Sequence, residues 1–231
     1  ITVYKGTPNQ TVTLSANPFD WFEASFFYTN VQDRPYCYDF TSEICFQDFK
    51  DKGFNVKLKL KEQGKLPAIA VGLQDFAGTG IYSSEYIVGS YGVNRTDFHF
   101  GIGFGLLDGS DLNFKNPLTY VSDKFNDRPS DTAGIGGSFQ PERYFSGETA
   151  SPFFGVSHAL GNKLLLRAEY DSSVRPGLLP FRIPENDFSF GVDYLINDKF
   201  SIGVSFERGD YASFKFVYKN NPVQTFQQNQ Y

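Results

Sequence analysis

Methionine is absent from the 231 residues, tryptophan occurs once, and histidine and cysteine twice each. An ordinary soluble core draws on Leu, Ile, Val, Met and Ala. Here 26 Phe and 14 Tyr carry much of the apolar content, in a chain whose mean hydropathy is only -0.34. No run approaches the roughly 18 consecutive apolar residues of a membrane-spanning helix, which excludes a helical membrane protein. An excess of positive charge is also missing. The 21 Lys and Arg against 26 Asp and Glu give a net charge of -5, so no basic stripe exists to neutralise phosphates and nucleic acid is not an expected partner.

The two cysteines, Cys37 and Cys45, lie eight positions apart in a polar segment, far from His99 and His158. A metal site would need two further ligands, so no metal or cofactor is expected. A disulfide closing a short loop is the favoured reading, worth about 2–3 kcal/mol in the chain-entropy model. It would imply an oxidising compartment; the alternative is two unpaired thiols. The chain begins at Ile1, as expected if a targeting segment has been cut away or if the chain is a fragment.

What is present is alternation. Phe54, Val56, Leu58 and Leu60 interleave with Asn55, Lys57, Lys59 and Lys61. Phe98, Phe100, Ile102, Phe104 and Leu106 interleave with His99, Gly101, Gly103 and Gly105. The stretches 188–194 and 200–207 repeat the pattern. Period two without a comparable 3.6 period predicts an all-β chain. Strands are expected near 1–5, 11–17, 21–31, 53–62, 66–76, 82–92, 97–107, 151–160, 163–171, 187–196, 199–207 and 211–219. Most have about nine to eleven residues, the length a tilted strand needs to cross a bilayer.

The connections are sorted. Tight turns are expected at 17–20, 62–65, 94–97, 161–163 and 197–199, and long or irregular connections at 32–52, 77–81, 108–150 and 172–186; the connection at 208–210 occupies a long-loop position but is itself short. Short turns on one rim and long loops on the other describe an outer-membrane barrel. Charges fall opposite the aromatics, as lipid contact requires, because a mid-depth Lys or Arg facing lipid costs roughly 2–4 kcal/mol. Trp21, Phe22, Phe98, Tyr194 and Phe200 at one end, with Tyr170, Phe188 and Tyr211 at the other, suit two interfacial girdles. The expectation is a single domain over 1–231: a transmembrane antiparallel β-barrel of about 12 strands, with short periplasmic turns, long extracellular loops and a long loop at 108–150. A soluble sandwich or lipocalin-like barrel is the alternative.

The run from Phe49 through Leu60, continued by Leu66–Gly80 and Ser83–Val88, resembles the YjbH-like family of Gram-negative outer-membrane proteins linked to exopolysaccharide and capsule export. Asp97-Phe98, Gly101-Ile102-Gly103 and Arg167-Ala168-Glu169-Tyr170-Asp171 are similar to the same family. The resemblance is densest over 49–107. It implies a non-enzymatic barrel in the bacterial outer membrane that assists secretion or assembly of a polysaccharide. Its implied partners are outer-membrane lipids, a polysaccharide and other export components. Family members are typically much longer, so this chain is a short member, one barrel of a larger architecture, or a fragment. No catalytic or ligand residues are carried over.

Candidate sites are few. Gly78-Thr79-Gly80 and Gly134-Ile135-Gly136-Gly137 lack the Lys and helix of a phosphate loop and read as turns. Asp108, Ser110, Asp111 and Asn113 lack an EF-hand's closing Glu and read as a polar turn. A rim-sited hydrolase would need partners for His99 or His158, and the sequence offers none that is compelling. By parity Lys57, Lys59, Lys61, His99, Arg167, Glu169, Asp193, Glu207 and Lys215 face the lumen. They either line a water-filled bore, which would support a diffusion channel for small polar solutes, or pair and fill a closed interior. The 108–150 connection either folds inward as a constriction or outward as a docking surface.

Overall fold

The computed structural model describes residues 1–7, 9–37, 45–129, 140–171, 173–174 and 184–220, the side chains of Asp33, Cys37, Cys45 and Phe46 apart. Thirteen strands follow in order: β1 (Thr2–Lys5), β2 (Asn9–Phe19), β3 (Phe22–Cys37), β4 (Cys45–Lys61), β5 (Ala68–Gln74), β6 (Ser84–Val93), β7 (Thr96–Gly105), β8 (Phe114–Lys115), β9 (Thr149–Leu160), β10 (Leu164–Tyr170), β11 (Phe188–Leu195), β12 (Phe200–Glu207) and β13 (Tyr211–Tyr218). Every pairing is antiparallel, and β1 joins β13 with Thr2 opposite Val217. Twelve strands therefore close into a barrel, while β8 only extends the edge of β9 beyond β7. Closure gives each of the twelve barrel strands two hydrogen-bonded neighbours, the condition for a sheet to stand in hydrocarbon.

The alternation explains which face goes where. Phe100, Phe190 and Val204 are 60%, 57% and 57% exposed on the outer surface, with Val12, Leu14, Ile87 and Phe214 among their neighbours in kind. Thr11, Thr29, Ser25, Asn55, Ser205 and Ser213 point the other way and hydrogen-bond across strands. An apolar exterior around a polar interior inverts a soluble protein and fits a membrane-spanning barrel.

Three expectations change in detail. The segment 32–52 is largely strand: β3 and β4 run to 16 and 17 residues and form a hairpin that outreaches its neighbours. Register shifts after Val31 and Tyr36 break the alternation there, which is why it read as a connection. The backbone register places Cys37 opposite Cys45 near that hairpin's end; the disulfide reading itself lies outside the described side chains. Strands β5 and β10–β13 have only 7 or 8 residues, shorter than the alternation suggested. Tyr211 pairs with Glu207 and so shares the inner face, which removes it from the outer girdle.

The two rims differ as expected. Short turns follow β2, β4, β6, β9 and β11, and Trp21 at one of them stacks on Phe19 with ring centroids 5.4 Å apart. At the other rim, the described parts of 106–148 form three short 3-10 turns and β8. The connection's Arg128 and Phe145 lie against the outer side of β6 and β7, while Leu107 turns to the interior beside Gly103. Glu85 and Phe104, whose parity is that of Ile87 and Ile102, are buried beneath Arg128 and Phe145. The 75–83 connection turns inward: Tyr82 reaches Asn9 Oδ1 at 2.7 Å and packs edge-on against Phe27 at 5.8 Å.

Candidate functional site: the bore

The interior divides into two walls. In ring order β4 stands diametrically opposite β11, so Lys57 faces the β10–β12 side. That side is a charge network. Asp193 forms ion pairs with Arg167 (Nε–Oδ2, 3.1 Å, with Nη2 donating to Oδ1 at 3.3 Å) and with Lys215 (Nζ–Oδ1, 3.0 Å). Arg167 also approaches Glu169 at 3.6 Å. Glu207 accepts from the Tyr4 hydroxyl at 2.8 Å and from Ser205 and Ser213 at 3.1 and 2.8 Å. Gly191 and Gly203 leave room beside these groups, and a polar cavity of about 240 Å³ results, lined by Arg167, Glu169, Glu207 and Lys215.

The second wall is more aromatic. Gly72 and Gly101 point inward, and the rings of their cross-strand partners lie over them: a Cβ at Gly72 would sit 2.2 Å from Tyr86 Cζ, and one at Gly101 2.2 Å from Phe153 Cζ. The two rings meet edge to face at 6.1 Å. Missing side chains on one strand are thus filled by large ones on the next, a pairing that pins register. Beside these rings lies a cavity of about 440 Å³. Its lining includes Lys57 on β4, His99 on β7, and Arg167 and Glu169 on β10, so it reaches across the barrel.

The residues singled out in the sequence therefore separate. Lys57, His99, Arg167 and Glu169 gather on the larger cavity; Arg167, Glu169, Glu207 and Lys215 on the smaller, with Asp193 behind them. Lys59 sits at the short-turn rim, paired with Glu62 at 2.5 Å. Lys61 does not share the face of Lys57. A register shift after Lys59 puts it opposite Ile69, and it lines an apolar groove on the outer surface. Alternation could not reveal this, because two residues of β4 there pass a single step of β5.

Each histidine has a hydroxyl partner: His99 Nδ1 lies 2.8 Å from Ser90 Oγ on the inner face, and His158 Nδ1 lies 2.9 Å from Thr96 Oγ1 on the outer. Asp108 accepts from Thr149 and Ser151 at 2.5 and 2.7 Å, tying the long connection to β9. Among the described residues no group of three His, Cys, Asp or Glu gathers as metal ligands would.

Tyr86, Phe153, Gln74 and Tyr82 line the interior without having been singled out. The available signal was Gly72 and Gly101 at inward positions; Phe153 beside Phe154 hid it, since adjacent aromatics blur parity. At the inward connection, Thr79 Oγ1 donates to Asp51 Oδ1 at 2.7 Å and the Tyr82 amide to Asp75 Oδ2 at 3.1 Å. Burial, and then the Asp51 carboxylate, push the Tyr82 hydroxyl well above the ordinary tyrosine range. It stays a neutral donor.

The family model described as "Exopolysaccharide biosynthesis protein YbjH" matches residues 1–230. The chain belongs to the YjbH family. Within it, the curated "Uncharacterized lipoprotein YjbH" of Escherichia coli (strain K12) is 34% identical over 213 residues, which is 90% of this chain and 30% of the relative. The chain thus spans under a third of that YjbH protein's length. Among solved structures, a KdgM porin in complex with disordered oligogalacturonate aligns over 95% of this chain and 97% of its own, with TM-score 0.50 and 8% identity. A mutant Rh. blastica porin aligns over 92% of this chain and 55% of its own at TM-score 0.34 and 10% identity. The first likeness establishes a porin-like barrel fold for this YjbH-family chain; the second is too loose to add to it.

Proposed function

We propose that this barrel sits in the bacterial outer membrane and assists the secretion or assembly of an exopolysaccharide, without catalysing a reaction. The observation that carries the reading is the cavity of about 440 Å³ crossing the bore, whose lining joins the rings of Tyr86 and Phe153 to the charges of Arg167 and Glu169 along the β6–β10 wall and reaches Lys57 on β4. Flat rings match the apolar faces of sugar rings, and placed charges match hydroxyls and carboxylates, the usual division of labour in a ligand site. The family's description points the same way. Outer-membrane lipids, the polymer and other export components are the partners this role requires.

The test is genetic. Deleting the gene in a polysaccharide-producing host is expected to lower the amount or change the length of surface polymer, and the intact gene should restore it. Unchanged surface polysaccharide would sink the reading.

A second reading is a self-sufficient diffusion channel for small polar solutes. It is favoured by the two cavities' shared lining, since Arg167 and Glu169 border both. Purified barrel in a planar bilayer should then conduct ions with no partner present, and a silent bilayer would exclude this reading.

A further inference from the structure

On the outer surface, between β5 and β7, β6 carries a glycine where its neighbours carry bulk. Gly89 shares the outward parity of Ile87 and Tyr91, and the missing side chain opens an apolar groove of about 510 Å³. Ile69, Ile87, Phe98 and Phe100 form its sides, and Leu66-Pro67 of the short turn closes one end. At that same end the lining includes Lys61, the lysine that the register shift after Lys59 brings to the Ile69 side. Lys61 has no carboxylate within ion-pair distance among the described residues. An unpaired ammonium on an apolar membrane face is unfavourable unless it meets water or an anion at the interface. Tyr91, a residue type favoured at that level, lines the groove beside it.

We infer that this groove binds one anionic phospholipid from the leaflet at the short-turn rim. An acyl chain lies along Gly89 between the Ile69–Ile87 and Phe98–Phe100 sides, and Lys61 meets the phosphate, with the Tyr91 hydroxyl within the same headgroup region. The apolar sides suit any acyl chain; the single cation is what selects an anionic headgroup. The glycine is what makes the space, and it can be filled without disturbing the backbone. A Cβ at Gly89 would meet nothing nearer than Phe100 O at 3.7 Å, an ordinary contact.

The test uses the purified chain in mild detergent, mixed with equal amounts of phosphatidylglycerol and phosphatidylcholine and observed by native mass spectrometry. The wild type is expected to retain one phosphatidylglycerol several-fold more than phosphatidylcholine. Lys61→Gln should bring the two lipids to equal retention, and Gly89→Leu should reduce retention of both. Heat-dependent gel mobility of each variant establishes that its barrel is folded. The inference is overturned by a wild type with no preference, or by folded variants that retain lipid as the wild type does. It is equally overturned if Gly89→Leu abolishes a wild-type dimer seen in the same spectra, which would make the occupant a second copy.

Discussion

Arg128 reaches from the long connection to Glu85 at the end of β6 and grips it with both arms of its guanidinium, Nη1 to Oε2 at 2.8 Å and Nη2 to Oε1 at 2.9 Å. The pair is 43 residues apart in sequence and Glu85 is fully buried. The Phe145 amide adds a third donor to the carboxylate at 2.9 Å, while Arg128 also donates to Ser83 and to the Arg143 carbonyl. One side chain thus ties both arms of the connection to the rim, with Phe145 packed edge-on against Phe104 at 5.4 Å.

Arg128→Ala should therefore free the connection while leaving the barrel standing. Removing one partner of a buried pair costs about 3–5 kcal/mol, because the other charge stays buried and unpaired. Limited proteolysis should cut the variant within 106–148 much faster than the wild type, with the gel shift on heating unchanged. Equal cleavage rates would mean that the latch does not hold the connection.

Lys57 and Lys59 are predicted to differ in the bore. Lys57 lines the larger cavity, whereas Lys59 does not and already has Glu62 at 2.5 Å. Under a salt gradient, Lys57→Glu should shift the reversal potential towards cation selectivity, and Lys59→Glu should shift it far less. Equal shifts would place Lys59 in the conducting path as well.

Much of this was legible beforehand because lipid and lumen enforce parity on every residue of a crossing strand. That is why β6, β7 and β9–β13 fall within a few residues of where alternation put them, and why Arg167, Glu169 and Asp193 could be placed on one face. The failures have different causes. Lys61 moved because β4 slips one residue against β5, a pairing that alternation does not encode. Tyr211 was legible: alternation already puts it on the face of Lys215, and its ring at a strand end was read as a girdle residue against that parity. The inward turn of 75–83 rests on Thr79 with Asp51 and Tyr82 with Asn9, contacts 28 and 73 residues apart in sequence.

That inward connection should respond to alkali. The Tyr82 hydroxyl has its pKa raised in the folded state, chiefly by burial and then by Asp51. Its contribution to stability is full below the unfolded value of about 10 and declines as pH rises above it towards the higher folded value. Hydrogen exchange over 75–83 should therefore quicken between about pH 10 and pH 11 in the wild type relative to a Tyr82→Phe variant measured at the same pH. Tyr82→Phe itself loses the bond to Asn9, so it should exchange faster than the wild type at pH 7 and show a weaker additional rise in alkali. Parallel pH profiles for the two proteins would remove Tyr82 as the titrating group.

The glycine–ring pairs of the inner wall make a sharper prediction, one of sign. Gly72→Ala places a methyl 2.2 Å from Tyr86 Cζ, and the ring has limited freedom to retreat because Phe153 meets it edge-on at 6.1 Å. Overpacking of this kind costs about 1–3 kcal/mol. In a Tyr86→Ala background the three ring contacts that crowd the methyl are gone, and replacing glycine then stabilises by about 0.4–1 kcal/mol through the unfolded chain. The same substitution should thus destabilise one protein and slightly stabilise the other, a coupling that a double-mutant cycle isolates. Urea unfolding in detergent, followed by the fluorescence of Trp21, the single tryptophan, reads all four proteins. Equal destabilisation by Gly72→Ala in both backgrounds would mean that the backbone at Gly72, and not the ring above it, demands the glycine.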